Sequence, residues 1–262
     1  MTWPTQQRSE VKGLSAIVAG RGRPVLLLHG VGLRAEAWAA QIAALSTSFK
    51  VIAPDMYGHG ESPCPSTPLA MEDYVLAALE VLDELDQSAL VVGHSMGAMI
   101  ALELAFRAPD KISAVAALNA LFERPPEASA AVKSRAASLN GIALPDPEPT
   151  LQRWFGTVPS PERTACDTWL RTVDPMGYRW AYEAFAHATG PDRSALTGLR
   201  CPALFATGAL EPNSTPGMSR DMAALAPHGR AKIVEGAAHM MPMTHAGQVN
   251  TALLDLAQEA WP

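Results

Sequence analysis

Four strand-like runs set the rhythm of the first half of the chain: Val25-Leu26-Leu27-Leu28, Lys50-Val51-Ile52-Ala53, Ala89-Leu90-Val91-Val92 and Ile112 to Leu118. A strand covered on one face alternates apolar with polar residues. A strand covered on both faces is apolar throughout, as Val25–Leu28 and Ala89–Val92 are. Between them lie longer stretches with helical composition, from about Ala35 to Leu45, from Glu72 to Leu85, and from Ala98 to about Ala108. Ser9 to Ala19 alternates weakly and predicts an opening hairpin or edge strand, and Gly20-Arg21-Gly22-Arg23-Pro24 is turn material. The rhythm resumes near the end of the chain. Cys201 to Gly208 reads as a strand, Pro216 to Leu225 as a helix, Ala231-Lys232-Ile233-Val234 as the last strand and His245 to Ala260 as the last helix. Alternation of this kind implies right-handed βαβ crossovers and an α/β fold, with a mostly parallel sheet and helices on both faces.

From about Leu121 to Leu196 the rhythm breaks. This stretch has several prolines, helical fragments and no clear strand, and it carries Phe122, Trp154, Phe155, Trp169, Tyr178, Trp180, Tyr182 and Phe185. Tyr178, Tyr182 and Phe185 stand at i, i+4 and i+7, on one face of a helix. The expected organisation is a core of residues 1–120 and 197–262, interrupted by a helical cap at 121–196. Most of the cap's aromatics are expected to hold the cap together, with some facing the gap between cap and sheet, where ligand pockets form.

Composition narrows the function classes. With 262 residues, 48% hydrophobic and 18% charged, the chain is globular rather than disordered. A net charge of −6 and the lack of a basic stripe argue against nucleic-acid binding. Cys64, Cys166 and Cys201 are few and far apart, which suggests a reducing compartment without disulfides or zinc spacing. The opening Met1-Thr2-Trp3-Pro4-Thr5-Gln6-Gln7 lacks an apolar signal core, and no run approaches the roughly 20 apolar residues of a membrane span. The expectation is a cytoplasmic protein.

The chemistry centres on Gly93-His94-Ser95-Met96-Gly97, which lies between a predicted strand and a predicted helix. In that setting G-x-S-x-G forms a nucleophile elbow. The tight turn lifts the serine above the sheet and puts the Met96 N–H at a helix N-terminus. A serine hydroxyl needs a base, and the base needs a third group to hold its tautomer. Of the seven histidines, His29, His59 and His94 sit in turn motifs and are expected to bond backbone. His187 falls in the cap, His228 in a surface turn, and His245 at the start of the last helix. His239 lies just past the carboxyl end of the last strand, on the edge of a parallel sheet where such sites form. Glu211, in Gly208-Ala209-Leu210-Glu211-Pro212, is the best placed acid. The alternatives are Asn119, a neutral amide at the end of the strand before the cap, Asp55, better suited to anchoring its glycine-rich loop, and Glu235, too close to His239 in sequence.

These motifs, with His29-Gly30 and Asp55-x-Tyr57-Gly58-His59-Gly60-x-Ser62 after the first two core strands and Gly236-Ala237-Ala238-His239 near the end, resemble the capped serine α/β-hydrolases, the group of esterases, lactonases and C–C hydrolases. The chain departs from them in having glutamate at 211, where aspartate is usual. The resemblance implies a Ser95–His239–Glu211 triad, an oxyanion hole of the Val31 and Met96 N–H groups, and no cofactor or metal. A serine at position 95 argues against the dehalogenases and epoxide hydrolases of this fold, which use aspartate there. His29, Gly30, Gly32, Met99, Trp154, Tyr178, Tyr182 and Met240 become candidates for the substrate pocket, although Met99 has an equal claim to packing. Arg34, Arg124 and the cap arginines are open candidates for a substrate acid. The expected reaction is hydrolysis of a small-to-medium carboxylic ester or lactone through an acyl-enzyme. Alternatives are C–C cleavage of a vinylogous diketone or enol-lactone type substrate, acyl transfer, or a ligand receptor. The partner is a small molecule, and no feature of the sequence sets an oligomeric state.

Overall fold

The computed structural model describes residues 6–261, so Met1–Thr5 of the opening segment lies outside it. The strands are β1 (Ser9–Val11), β2 (Leu14–Ala19), β3 (Pro24–Leu28), β4 (Lys50–Pro54), β5 (Ala89–His94), β6 (Ile112–Leu118), β7 (Ala203–Gly208) and β8 (Gly229–Val234). They form one sheet in the order β1-β2-β4-β3-β5-β6-β7-β8. β2 runs antiparallel to its neighbours, and the six strands from β3 onward are mutually parallel. The chain leaves β3 toward β4, then crosses back over β3 to β5. That reversal opens a crevice at the strands' carboxyl ends.

The apolar runs have both faces buried. Leu26, Leu28, Val91, Val115, Ala117 and Phe205 face one layer, packed with α2 (Met71–Asp83), α3 (Met96–Arg107) and α9 (Pro216–Leu225). Val25, Leu27, Leu90, Val92, Ala116 and Leu204 face the other, packed with α1 (Ala39–Leu45) and α11 (Ala246–Ala260). In α11, Val249, Leu253 and Leu256 supply an i, i+4, i+7 stripe. Two expected helices differ in detail. Ala35–Leu45 begins as a 3₁₀ turn over Ala35–Trp38, and the last helix is preceded by a short turn, α10 (Met241–Thr244).

Between β6 and β7 the chain folds as α4 (Pro126–Ala137), α5 (Glu148–Phe155), α6 (Pro161–Thr172), α7 (Pro175–His187) and α8 (Arg193–Thr197). Proline at the first helical position after a capping side chain starts several helices. Ser160 Oγ accepts from Arg163 N–H at 3.1 Å before Pro161, and Asp174 Oδ1 accepts from Gly177 N–H at 2.7 Å before Pro175. These helices share apolar clusters with the sheet layer: Ala181 and Ala184 of α7 join the α2–α3 core, and Leu151, Trp169 and Leu170 join Leu33 and Met240. One contact sets the height of α7. Gly58, with φ +72°, meets Gly177 backbone to backbone, and a Cβ on either residue would overlap the other's main chain. Among the described residues no helix is long and apolar enough to cross a membrane.

Gly177→Ala should therefore lower stability by about 1–3 kcal/mol through overpacking, despite alanine's better helix propensity. Thermal denaturation measures this, and an unchanged Tm would contradict it.

Candidate active site

Ser95 occupies the sharp turn between β5 and α3 with φ 55° and ψ −115°, a region that costs a non-glycine residue on the order of 1–3 kcal/mol. The neighbouring chain holds it there. Ser95 N–H donates to Leu118 C=O at 2.9 Å, and Ser95 C=O accepts from Ala98 N–H at 3.0 Å. Gly93 and Gly97 make the turn possible, because a Cβ on Gly93 would overlap Gly97 and one on Gly97 would overlap Leu28. Ser95 is half-buried while Gly93, His94, Met96 and Gly97 around it are buried. Met96 opens α3, so its N–H lacks an intrahelical partner. The loop after β3 comes close: a Cβ on Gly30 would lie 3.0 Å from Ser95 Cβ and 3.5 Å from Oγ. The backbone of Val31 is thus brought to the same side.

Glu211 is buried at 3% exposure, past the end of β7. Its Oε2 lies 2.6 Å from His239 Nδ1 and accepts from Asn119 Nδ2 at 3.3 Å. Its Oε1 accepts from Asn213 N–H at 2.8 Å and Ser214 N–H at 3.3 Å. Burial alone would raise the carboxyl pKa, but His239 beside it and these donors hold it down to about 2. Asn119, at the end of β6 with φ 55°, also bonds Thr207 Oγ1 at 3.1 Å. Its amide is a donor to the acid rather than an acid. Asp55 is occupied in its own loop, accepting from Ala35 and Glu61 N–H at 2.7 and 2.9 Å, and Glu235 is exposed.

His29, His59 and His94 bond backbone. His29 Nδ1–H donates to Gly30 C=O at 2.8 Å and its Nε2 accepts from Met56 N–H at 2.9 Å. His59 Nε2 accepts from Gly32 N–H at 3.0 Å and His94 Nε2–H donates to His239 C=O at 2.8 Å. Burial pushes these imidazoles down to about 4, 3 and 3 respectively, so they are neutral struts. The His94 strut ties the His239 backbone to the turn between β5 and α3.

A cavity of about 310 Å³ lies between the sheet edge and the cap helices, the space of about ten waters. Ser95, His239, Gly30 and Val31 form its floor, and Trp154, Tyr178, Tyr182 and Phe185 supply aromatic walls. Four pocket candidates sit elsewhere. Met99 points into the α2–α3 core and borders a separate groove of about 510 Å³, because the first turn of α3 directs it away from the elbow. Met240 packs in the cluster with Leu33 and Trp169. His29 and Gly32 are buried behind the lining, in the hydrogen bonds just described.

The cavity selects among the arginines that the sequence left open. Arg124, Arg135 and Arg153 line it, and no Asp or Glu does. Among the described residues none of the three has a carboxylate partner. Arg124 donates to the Ala186 and Phe185 carbonyls, Arg135 to Tyr182 Oη and Arg153 to Thr150 Oγ1. Arg34, by contrast, is neutralised by Glu36 and Glu61. Thr150, Asn213, Ser214, Thr215 and Met218 also line the cavity and carried no signal in the sequence.

A parallel sheet with a strained serine at its strand-to-helix elbow, and a buried histidine–carboxylate pair along the same edge, defines an α/β-hydrolase. The family model for the alpha/beta hydrolase family matches residues 25–252, and the chain belongs to that family. It is a hydrolase. It is 38% identical, over 92% of its own length and 91% of the relative's, to the (E)-2-((N-methylformamido)methylene)succinate hydrolase of Acinetobacter baylyi. Among solved structures it resembles the enol-lactonase of Burkholderia xenovorans (TM-score 0.82, 28% identity, 97% and 100% of the two chains). It shares its fold with a thermophilic esterase of Thermogutta terrifontis (TM-score 0.85, 24% identity, 98% and 100%).

The buried carboxylate also has a thermodynamic consequence. With a native pKa of about 2 against an ordinary value of 4.5, Glu211 stabilises the fold fully above 4.5, and that contribution is lost as pH falls toward 2. Urea midpoints measured across that window should fall more steeply for the wild type than for Glu211→Gln. Parallel curves would contradict this.

Proposed function

We propose that the protein hydrolyses an acyl bond of a small substrate bearing carboxylates, through an acyl-enzyme on Ser95. The observation that carries this reading is the cavity floored by Ser95 and His239 and lined by three arginines that have no carboxylate partner among the described residues. In a chain of net charge −6, such an arrangement suits a substrate with one or two negative charges.

In this mechanism Ser95 Oγ attacks the carbonyl carbon as His239 Nε2 takes its proton. Glu211 Oε2, 2.6 Å from Nδ1, holds the tautomer and stabilises the imidazolium. The Met96 and Val31 N–H groups receive the developing oxyanion. As the tetrahedral intermediate collapses, the bond to the leaving atom breaks and His239 returns the proton to it. Water, deprotonated by His239, then attacks the acyl-serine, and as the acyl–oxygen bond breaks His239 returns that proton to Ser95 Oγ, releasing the acid.

The relative's substrate is, by its name, a formamide whose nitrogen sits on a methylenesuccinate carrying two carboxylates. Delocalisation of that nitrogen's electrons toward a conjugated carboxylate weakens the amide and makes the enamine a competent leaving group. An acylated aminomethylene dicarboxylate is therefore the substrate class we favour. The ester or lactone expected from the sequence needs the same atoms with oxygen as the leaving atom, and the likeness to an enol-lactonase supports an enol-lactone as the second reading. C–C cleavage, acyl transfer and ligand reception use the same site and are separated by assay.

Ser95→Ala should abolish turnover, and Glu211→Gln should lower kcat by roughly 10²–10⁴-fold. Arg135→Ala and Arg153→Ala should each lower kcat/KM by about tenfold or more for the dicarboxylate and much less for its neutral diester, as loss of a charge-assisted hydrogen bond requires. Steady-state kinetics on a panel of acylated aminomethylene dicarboxylates, enol-lactones and neutral esters measures this. Preference for the neutral compounds, or equal losses on both, would contradict the reading.

A further inference from the structure

The imidazole of His239 has ring partners on two sides. His94, at the end of β5, has its ring centroid 4.8 Å away, tilted by 54°. Trp154, from the last turn of α5, lies 5.5 Å away with its plane only 22° from that of the imidazole, a stacked arrangement. Trp154 is also a wall of the cavity, and the same helix carries Thr150 and Arg153 to it. Two side-chain anchors hold α5 in place: Leu151 is fully buried among Leu33, Leu170 and Tyr178, and Glu148 pairs with Arg163 of α6 at 2.6 Å.

We propose that Trp154 is a positioning residue for the base, holding the His239 ring in its working plane and stabilising the imidazolium formed when Ser95 gives up its proton. The inference rests on the serine-hydrolase reading above. The hydrogen bond to Glu211 acts in the plane of the ring at Nδ1 and leaves tilt about that axis free, so packing on the ring faces must remove the tilt. The second effect is electrostatic. The face of an indole is the negative side of its quadrupole and is the strongest aromatic partner for a cation. The groups around His239 make such a partner useful. Glu211 is the only carboxylate hydrogen-bonded to the ring among the described residues, His94 is neutral, and Arg124, Arg135 and Arg153 around the same cavity oppose a further positive charge. The sequence placed Trp154 among the pocket candidates without linking it to the base, since the link exists only where α5 crosses the edge of the sheet.

The test is the second-order rate at which a neutral fluorophosphonate labels Ser95, a reaction that needs the nucleophile and base but no substrate carboxylate. Trp154→Ala should label on the order of tenfold more slowly than wild type, and Trp154→Phe, which keeps a ring on the imidazole, should recover most of the rate. With the dicarboxylate substrate, Trp154→Ala should lower kcat while moving KM little. Labelling of Trp154→Ala at the wild-type rate would overturn the inference alone. So would Trp154→Phe as slow as the alanine variant, or a loss confined to KM, either of which makes Trp154 a wall and nothing more. A wild type that does not label at Ser95 would remove the serine-hydrolase reading, and this inference with it.

Discussion

The buried charge of Glu211 is the constraint that the rest of the site answers to. An isolated carboxylate away from water is very costly, and here the cost is offset because both oxygens are occupied. Two backbone N–H groups of its own loop hold Oε1, and Asn119 and His239 share Oε2. The requirement spreads outward. His239 is fixed at Nδ1 by Glu211, at its backbone by His94, and on its face by Trp154. His94 is one residue from Ser95, so Ser95, His239 and Glu211 belong to one connected structure at the carboxyl ends of β5, β7 and β8. The strain at Ser95 persists because that structure determines its backbone on both sides.

The cap completes the site by supplying a wall and charge. α7 sits at a height set by the Gly58–Gly177 contact, which brings Tyr178, Tyr182 and Phe185 to the cavity in one file. α4 and α5 bring Arg135 and Arg153, which meet no carboxylate among the described residues. In the proposed reading, the sheet edge carries the acyl chemistry, and the helices between β6 and β7 set the electrostatics of what enters.

Much of this was legible in the sequence, for identifiable reasons. Strands buried on both faces must be apolar throughout, so β3 and β5 announced themselves, and the elbow followed from its place between a strand and a helix. Parallel strands put their carboxyl ends on one edge, which brings Ser95, Glu211 and His239 together without any knowledge of contacts. What escaped depends on direction in space. Met99 is four residues past Ser95, but the rotation of α3 turns it into the core. His29 and Gly32 belong to the right loop, yet their polar groups are committed to its backbone. Which arginines line the cavity without a carboxylate partner is settled only when distant segments pack. Asn119 lacked the charge expected of a triad acid, and its amide acts as a donor to the acid instead.

The most direct test of the account is to trap the acyl-enzyme. The protein is mixed with an acylated aminomethylene dicarboxylate, quenched in acid within the first turnover, and digested for mass spectrometry of the peptide carrying Ser95. The account predicts a mass gain equal to the substrate's acyl group on Ser95, formed at least as fast as turnover and absent from Ser95→Ala. Turnover of the same compound with no acyl group on Ser95, or at an undiminished rate in Ser95→Ala, would contradict it.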